Sequence, residues 1–212
     1  MTQTSLSLFG HPPVILASAS PRRLALLAQI GVDPVAVLPA DIDESPLKAE
    51  LPHVYARRMA HEKAAATHNM LSSDNGATSD ARANIPDDAV ILAGDTVVAC
   101  GRRILPKAED EATARKCLAL LSGRRHRVLG GIAIRRADGN IQSRLVTSSV
   151  TFKRLDQAEI DAYIATGDWH GKAGGYAIQG PAAALIRHMD GSYSNIVGFS
   201  LYDIAGLLRG GA

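Results

Sequence analysis

The chain is poor in several features that would point to a function by themselves. It has two cysteines, Cys100 and Cys117, far apart and outside any CxxC or Cys/His cluster. That argues against a disulfide framework or a zinc site, and both read as small apolar residues of a reducing compartment. Aromatic residues make up 4% of the 212, too few for a base-stacking groove. A net charge of +2 gives no bulk attraction to nucleic acid or a membrane surface, so any basic function is local. No run approaches the roughly 18–20 apolar residues of a membrane span, and Met1–His11 lacks the basic-then-apolar order of a signal peptide. No glycine stretch has Walker A spacing, and no GxGxxG follows a strand. What remains is 46% hydrophobic and 21% charged, ordinary for a globular protein. The expectation is a soluble, cytoplasmic chain with no membrane or nucleic-acid partner, long enough for one large domain or two lobes about a shared core.

The most organised stretch is Val14-Ile15-Leu16-Ala17-Ser18-Ala19-Ser20-Pro21-Arg22-Arg23. Its apolar start reads as a buried strand. Ser20 fits a helix N-cap, Pro21 the first helical position, Leu24, Leu27 and Ile30 the apolar face, and Gly31 the stop. Two serines and two arginines then sit beside free backbone N–H groups at the positive end of a helix, which suits a phosphate. The alternative is a capped surface helix with two solvated arginines.

Further along, 34–39 reads as a strand followed by Asp41, Asp43 and Glu44, either an acid or metal cluster or the solvated entry to the next helix. That helix covers about 52–68, with Val54, Met59 and Ala65-Ala66 as its apolar face. Glu62 and Lys63 are adjacent, so at most one shares the face of an anion site. Residues 69–88 read as a long loop or flap. The strongest strand is 89–99, an unalternated apolar run of the kind covered on both faces. Asp95 interrupts it and must be hydrogen-bonded, paired or metal-bound if buried. Asp110 caps a helix running to about Leu121, and Arg124-Arg125-His126-Arg127, a phosphate-facing edge or for most of its members a solvated turn, opens a long hairpin turning at Asp138-Gly139. Asp156 and Glu159 make a capping box for a helix through Ile164. The glycine-rich loop 167–180 is either a plain Ω-loop or one that exposes backbone N–H groups for a ligand, and Gln179 carries an amide able to read a base edge. A strand over 183–189 and an apolar helix over 196–208 close the chain.

Four separated segments together resemble the Maf family of nucleoside triphosphate pyrophosphatases. They are LASASPRR (16–23), HEKA (61–64) with the acids at 43–44 before it, LAGDTVV (92–98) followed by Lys107, and GKAGGYAIQG (171–180) with GSYSNIVG (191–198). The resemblance implies a single domain over 1–212. Its fold would be an elongated, two-lobed α/β structure with a central mixed sheet, like that of inosine triphosphate pyrophosphatases, with one nucleotide-binding cleft between the lobes. It implies hydrolysis between the α- and β-phosphates, giving a monophosphate and pyrophosphate, with Mg²⁺ or Mn²⁺. Carried onto matching positions, Asp95 is the general base, with Lys63 and Lys107 completing the catalytic set. Ser18, Arg22, Arg23, Thr96 and Gln179 bind substrate, and Glu44 with Asp95 holds the metal.

Thr96 and the IQG ending at Gly180 resemble the branch acting on dTTP and UTP, where the positions of Arg22, Thr96 and Gln179 are associated with substrate choice. The branch preferring 7-methyl-GTP differs at the last two. The resemblance also implies a homodimer. The competing readings are a pyrophosphatase for other modified nucleotides such as 7-methyl-GTP, and a non-catalytic, nucleotide-binding regulator of cell division, which needs no base.

Overall fold

The computed structural model describes residues 9–73 and 84–210. Six strands form the path of one mixed sheet in the order β2 (Ala36–Val37), β1 (Val14–Leu16), β3 (Val90–Cys100), β6 (Arg125–Arg135), β7 (Ile141–Phe152) and β9 (Ile186–Asp190), with β4 (Arg103–Leu105) paired to the end of β3. Strands β1, β2 and β3 run parallel, and every pairing from β3 to β9 is antiparallel. A separate ribbon joins β5 (Lys107–Ala108) to β8 (Lys172–Ala173). The helices are α1 (Pro21–Gln29), α2 (Pro52–Ser72), α3 (Glu111–Leu121), α4 (Gln157–Ala165), α5 (Tyr193–Val197) and α6 (Leu201–Leu208). Among the described residues, no helix is long and apolar enough to cross a membrane.

Strand β3 is buried on both faces, as its unalternated apolar pattern requires, and each end of it feeds a different core. Val90 and Leu92 pack with α1 and α6 through Leu26, Leu27 and Ile204, while Ile91 and Ala93 meet Ala60 and Ala64 of α2. At the other end Val98 joins Leu118 of α3, Phe152 and Tyr176. Between these cores, Gly94-Asp95-Thr96 lies across from Ile132, Gly131 and Gly130 of β6. A Cβ on Gly131 would lie 2.0 Å from the Ala56 carbonyl oxygen, and one on Gly130 would lie 1.9 Å from Asn195 Oδ1. Two adjacent glycines therefore let α2 settle on one face of the sheet and α5 on the other, beside Asp95 and Thr96.

Several boundaries differ from expectation. Leu24 is 39% exposed, and the inward positions are Arg23, Leu26 and Leu27 of α1 with Ile30 at its C-cap. Those four fall at the i, i+3, i+4, i+7 spacing of one helix face, with an arginine in the first place. On α2 the buried face runs through Ala56, Met59, Ala60, Lys63, Ala64 and Thr67, while Val54 is 46% exposed and Ala65 and Ala66 are half-buried. The helix continues to Ser72, so the expected loop begins later; residues 74–83 of it lie outside the described residues, as does most of Met1–His11. The second strand shrinks to Ala36–Val37. Residues 181–185 are a 3₁₀ turn before β9. The closing helix is two helices, because Ser200 caps a new one by accepting from the Asp203 N–H. Both expected caps of the middle helices form, at Asp110 and in the Asp156–Glu159 box.

Candidate active site

A cleft of about 520 Å³ opens where β3 passes between the cores. Ser18, Arg22, Arg23, Glu44, Lys63, Asp95, Thr96, Lys107 and Gln179 all line it. The sequence separates these residues widely, and four structural devices gather them.

The first is the register of β3 and α2. Asp95 faces α2 because it pairs with Gly131. Two helical turns beyond Ala56, on the same buried face, comes Lys63. Its Nζ donates to Asp95 Oδ1 at 2.7 Å and lies 2.7 Å from Glu44 Oε1. Glu62 points elsewhere and pairs with Arg58 at 3.1 Å, as adjacent helix residues must.

The second is the loop after β2. Of its three acids, Asp41 is exposed and Asp43 accepts from the Ser45 N–H at 2.8 Å. Glu44 turns into the cleft, and the Tyr55 hydroxyl fixes its backbone by donating to the Glu44 carbonyl oxygen at 2.6 Å. Lys107 Nζ donates to Glu44 Oε2, also at 2.6 Å. Partial burial pushes the Glu44 carboxyl up, but the hydrogen bonds and charges of Lys107 and Lys63 prevail and hold it at about 2.

The third device is the small ribbon. Lys107 stands opposite Ala173, and the Gly174 N–H donates to the Pro106 carbonyl oxygen at 2.9 Å. Gly174 and Gly175 both have φ near 70°, a conformation an L side chain resists. The glycine-rich loop thus anchors Lys107 as well as lining the cleft with its own residues.

The fourth is Arg23. Its Nε donates to the Gly198 carbonyl oxygen at 3.2 Å, and Nη1 donates to Ser18 Oγ at 3.0 Å and to the Gly94 carbonyl oxygen at 2.7 Å. Nη2 donates to Thr96 Oγ1 at 3.1 Å, and the guanidinium stacks on the Phe199 ring. Thr96 in turn donates to the Gly198 carbonyl oxygen at 3.3 Å. Burial lowers the Arg23 pKa, opposed by Asp95 and Glu44 and reinforced by Arg22. Arg22, half-buried, makes no hydrogen bond among the described residues. Burial lowers its pKa too, and Asp168 opposes that. Gln179 is exposed at the cleft wall.

Five cations against three carboxylates line the cleft, a surplus suited to a polyanion. The Maf-like protein family matches residues 13–210. The chain belongs to that family. Among its relatives, a dTTP/UTP pyrophosphatase of Paramagnetospirillum magneticum is 60% identical over 197 residues, 93% of this chain and 96% of that protein. A dTTP/UTP pyrophosphatase of Gluconobacter oxydans is 54% identical over 210 residues, 97% and 90% of the two chains. A solved nucleoside-triphosphatase / dITP/XTP pyrophosphatase from Mycobacterium abscessus is 18% identical with a TM-score of 0.41, covering 68% of this chain and 75% of that one.

The four segments that carry the sequence resemblance all contribute residues to the cleft. Three contributors lay outside the residues read from sequence as functional. Tyr55 was signalled only by its place on the face shared with Met59 and Lys63. Gly130-Gly131 was signalled by paired glycines inside a strand. Asp168, near Arg22, carried no sequence signal. Of the basic cluster, Arg124, Arg125 and Arg127 are exposed, as a solvated turn would leave them. His126 is buried, and its Nε2 meets the Tyr176 hydroxyl at 2.8 Å.

Proposed function

We propose that the protein is a nucleoside triphosphate pyrophosphatase that cleaves between the α- and β-phosphates, releasing a monophosphate and pyrophosphate, with dTTP and UTP as preferred substrates. The observation that carries this reading is Lys63 Nζ held 2.7 Å from both Asp95 and Glu44, in a cation-lined cleft of a chain 60% identical to a dTTP/UTP pyrophosphatase. The two-lobed, single-domain description belongs to the same proposal, with the nucleotide lying between the lobes.

Phosphoanhydride cleavage asks for alignment of water and neutralisation of charge on phosphate oxygens. In this reading Asp95 takes the proton of the attacking water. Lys63 and Lys107 exchange carboxylate partners for phosphate oxygens. Arg22 and Ser18 bind the phosphates from the α1 turn. Arg23 acts from behind, keeping Ser18 and Thr96 in place with bonds to neutral oxygens. Expulsion of pyrophosphate follows as the water oxygen bonds to the α-phosphorus.

Glu44 and Asp95 are the donors for a divalent cation. No group of three metal-ligating side chains occurs among the described residues, and two carboxylates with substrate phosphates and waters suit Mg²⁺ or Mn²⁺. A cation bound there supplies charge neutralisation and a more acidic water. A homodimer and a cytoplasmic location complete the proposal, tested by light scattering and cell fractionation.

The decisive variant is Asp95→Asn. Turnover is expected to fall at least about 10³-fold with the circular dichroism spectrum unchanged. Hydrolysis at the wild-type rate would overturn the assignment of the base.

A further inference from the structure

Arg58 stands on α2, outside the residues that line the cleft, yet most of its bonds end on the segment that carries Glu44. Its Nη2 donates to the carbonyl oxygen of Ser45, the next residue, at 3.1 Å. Nε and Nη2 together grip the Glu50 carboxylate at 2.8 and 2.7 Å, a two-point contact that suits the arginine fork and that lysine cannot copy. Glu50 in turn accepts from the Leu47 N–H at 2.9 Å. On the other side, Nη1 reaches Glu62 Oε2 at 3.1 Å, one turn along the helix. The guanidinium also lies over the Tyr55 ring, 5.5 Å from its centroid, and the Tyr55 hydroxyl donates to the Glu44 carbonyl oxygen.

Residues 38–51 form no strand or helix, so no regular ladder of backbone bonds fixes the segment bearing Glu44. Two side chains of α2 do so instead. Ala49, between Leu47 and Glu50, has a φ of 60°, a left-handed conformation that costs an alanine and persists only where its surroundings over-determine it. At present Lys63 and Lys107 also hold the two Glu44 oxygens, at 2.7 and 2.6 Å. In the proposed reaction both lysines turn to phosphate. Glu44 then keeps its place through its backbone alone, held directly by Tyr55 and, through Ser45 and Glu50, by Arg58.

Resting on that reading, we infer that Arg58 is a positioning residue for the divalent cation. It clamps the 44–50 segment to α2 and keeps Glu44 within reach of the cation that Asp95 shares. A purely stabilising surface ion pair is the competing outcome.

Binding of Mn²⁺ to the full chain, read from loss of the free-ion electron paramagnetic resonance signal, separates the two without any turnover. Arg58→Met should weaken Mn²⁺ about ten- to a hundred-fold, the effect of removing a group that orients a metal ligand. Glu50→Gln loosens the same clamp from the other side, should act in the same direction by a smaller factor, and keeps the test open if Arg58→Met fails to fold. Arg115 bridges Glu111 and Asp161 on the surface away from the cleft, so Arg115→Met should leave Mn²⁺ binding unchanged. In turnover, the Mg²⁺ concentration for half-maximal rate should rise in Arg58→Met, with kcat largely recovered at saturating Mg²⁺. Wild-type Mn²⁺ affinity in both clamp variants, or an equal loss in Arg115→Met, would overturn the inference. So would a lower kcat at saturating Mg²⁺ with the half-activating concentration unmoved. A wild type that binds no Mn²⁺ would instead remove the metal assignment itself, and this inference with it.

Discussion

Lys63 and Arg23 are both buried cations on the wall of one cleft, and they are held in opposite ways. Lys63 is bonded to two carboxylates, Asp95 and Glu44. Arg23 is bonded to neutral oxygens: two backbone carbonyls and the hydroxyls of Ser18 and Thr96. The ammonium can leave one anionic partner for another, carboxylate for phosphate, with little change in its electrostatic surroundings. The guanidinium cannot move without abandoning donors to four oxygens from three separate segments, and buried acceptors left without partners are costly. The same charge therefore serves two purposes. At Lys63 it is exchangeable, as the proposed chemistry requires. At Arg23 it is fixed and gives the cleft its shape, while its charge, hydrogen-bonded only to neutral oxygens, still adds to the field.

The comparison breaks most visibly at Lys63. Lys63→Met should lower kcat about 10²–10³-fold. It also leaves Asp95 and Glu44 without their shared cation, so thermal stability drops. Adding Mg²⁺ should recover part of that stability, because a divalent cation can stand between the same carboxylates. Arg23→Lys should show the reverse balance. Lysine cannot reproduce the planar fork, so the variant should lose about 2–4 kcal/mol of stability, read as a depressed melting temperature that Mg²⁺ does not restore. If the two variants respond alike to Mg²⁺, the division between exchangeable and fixed cations is wrong.

The smallest expected effect concerns pH. The folded-state Glu44 carboxyl sits at about 2, below its ordinary 4.5. A depressed carboxyl contributes stability that is fully present above the ordinary value and is lost as pH falls toward the folded one. Wild-type melting temperature should therefore decline between about pH 5 and pH 2 more steeply than that of Glu44→Gln. Parallel curves would mean that Lys63 and Lys107 do not hold Glu44 as described.

Much of the site was legible because its chemistry interrupts regular patterns. Asp95 breaks an apolar strand, and a proline-arginine pair follows a serine-rich strand end. The element types were legible too, through Asp110, the Asp156–Glu159 box and the Asp138-Gly139 turn. The inward face of α1 was misread because Arg23 occupies a core position, where a charge is not anticipated, and Leu24 faces solvent instead. On α2 the face was misread for a related reason: Lys63, a charged residue, belongs to the buried stripe with Ala60 and Ala64. The break between α5 and α6 had a signal in Ser200 and Asp203 that the surrounding apolar run obscured. What no local pattern carries is the meeting of segments. That Lys107 is tied to Ala173, and that Gly130 and Gly131 admit a helix on each face, are consequences of pairing across the chain.

Pyrophosphate release from a panel of normal and modified nucleoside triphosphates, with Mg²⁺, Mn²⁺ and EDTA, tests the proposed reaction most directly. Metal-dependent turnover of dTTP and UTP above all others, abolished by EDTA, is expected. No pyrophosphate from any triphosphate with either metal would contradict it and favour a nucleotide-binding regulator.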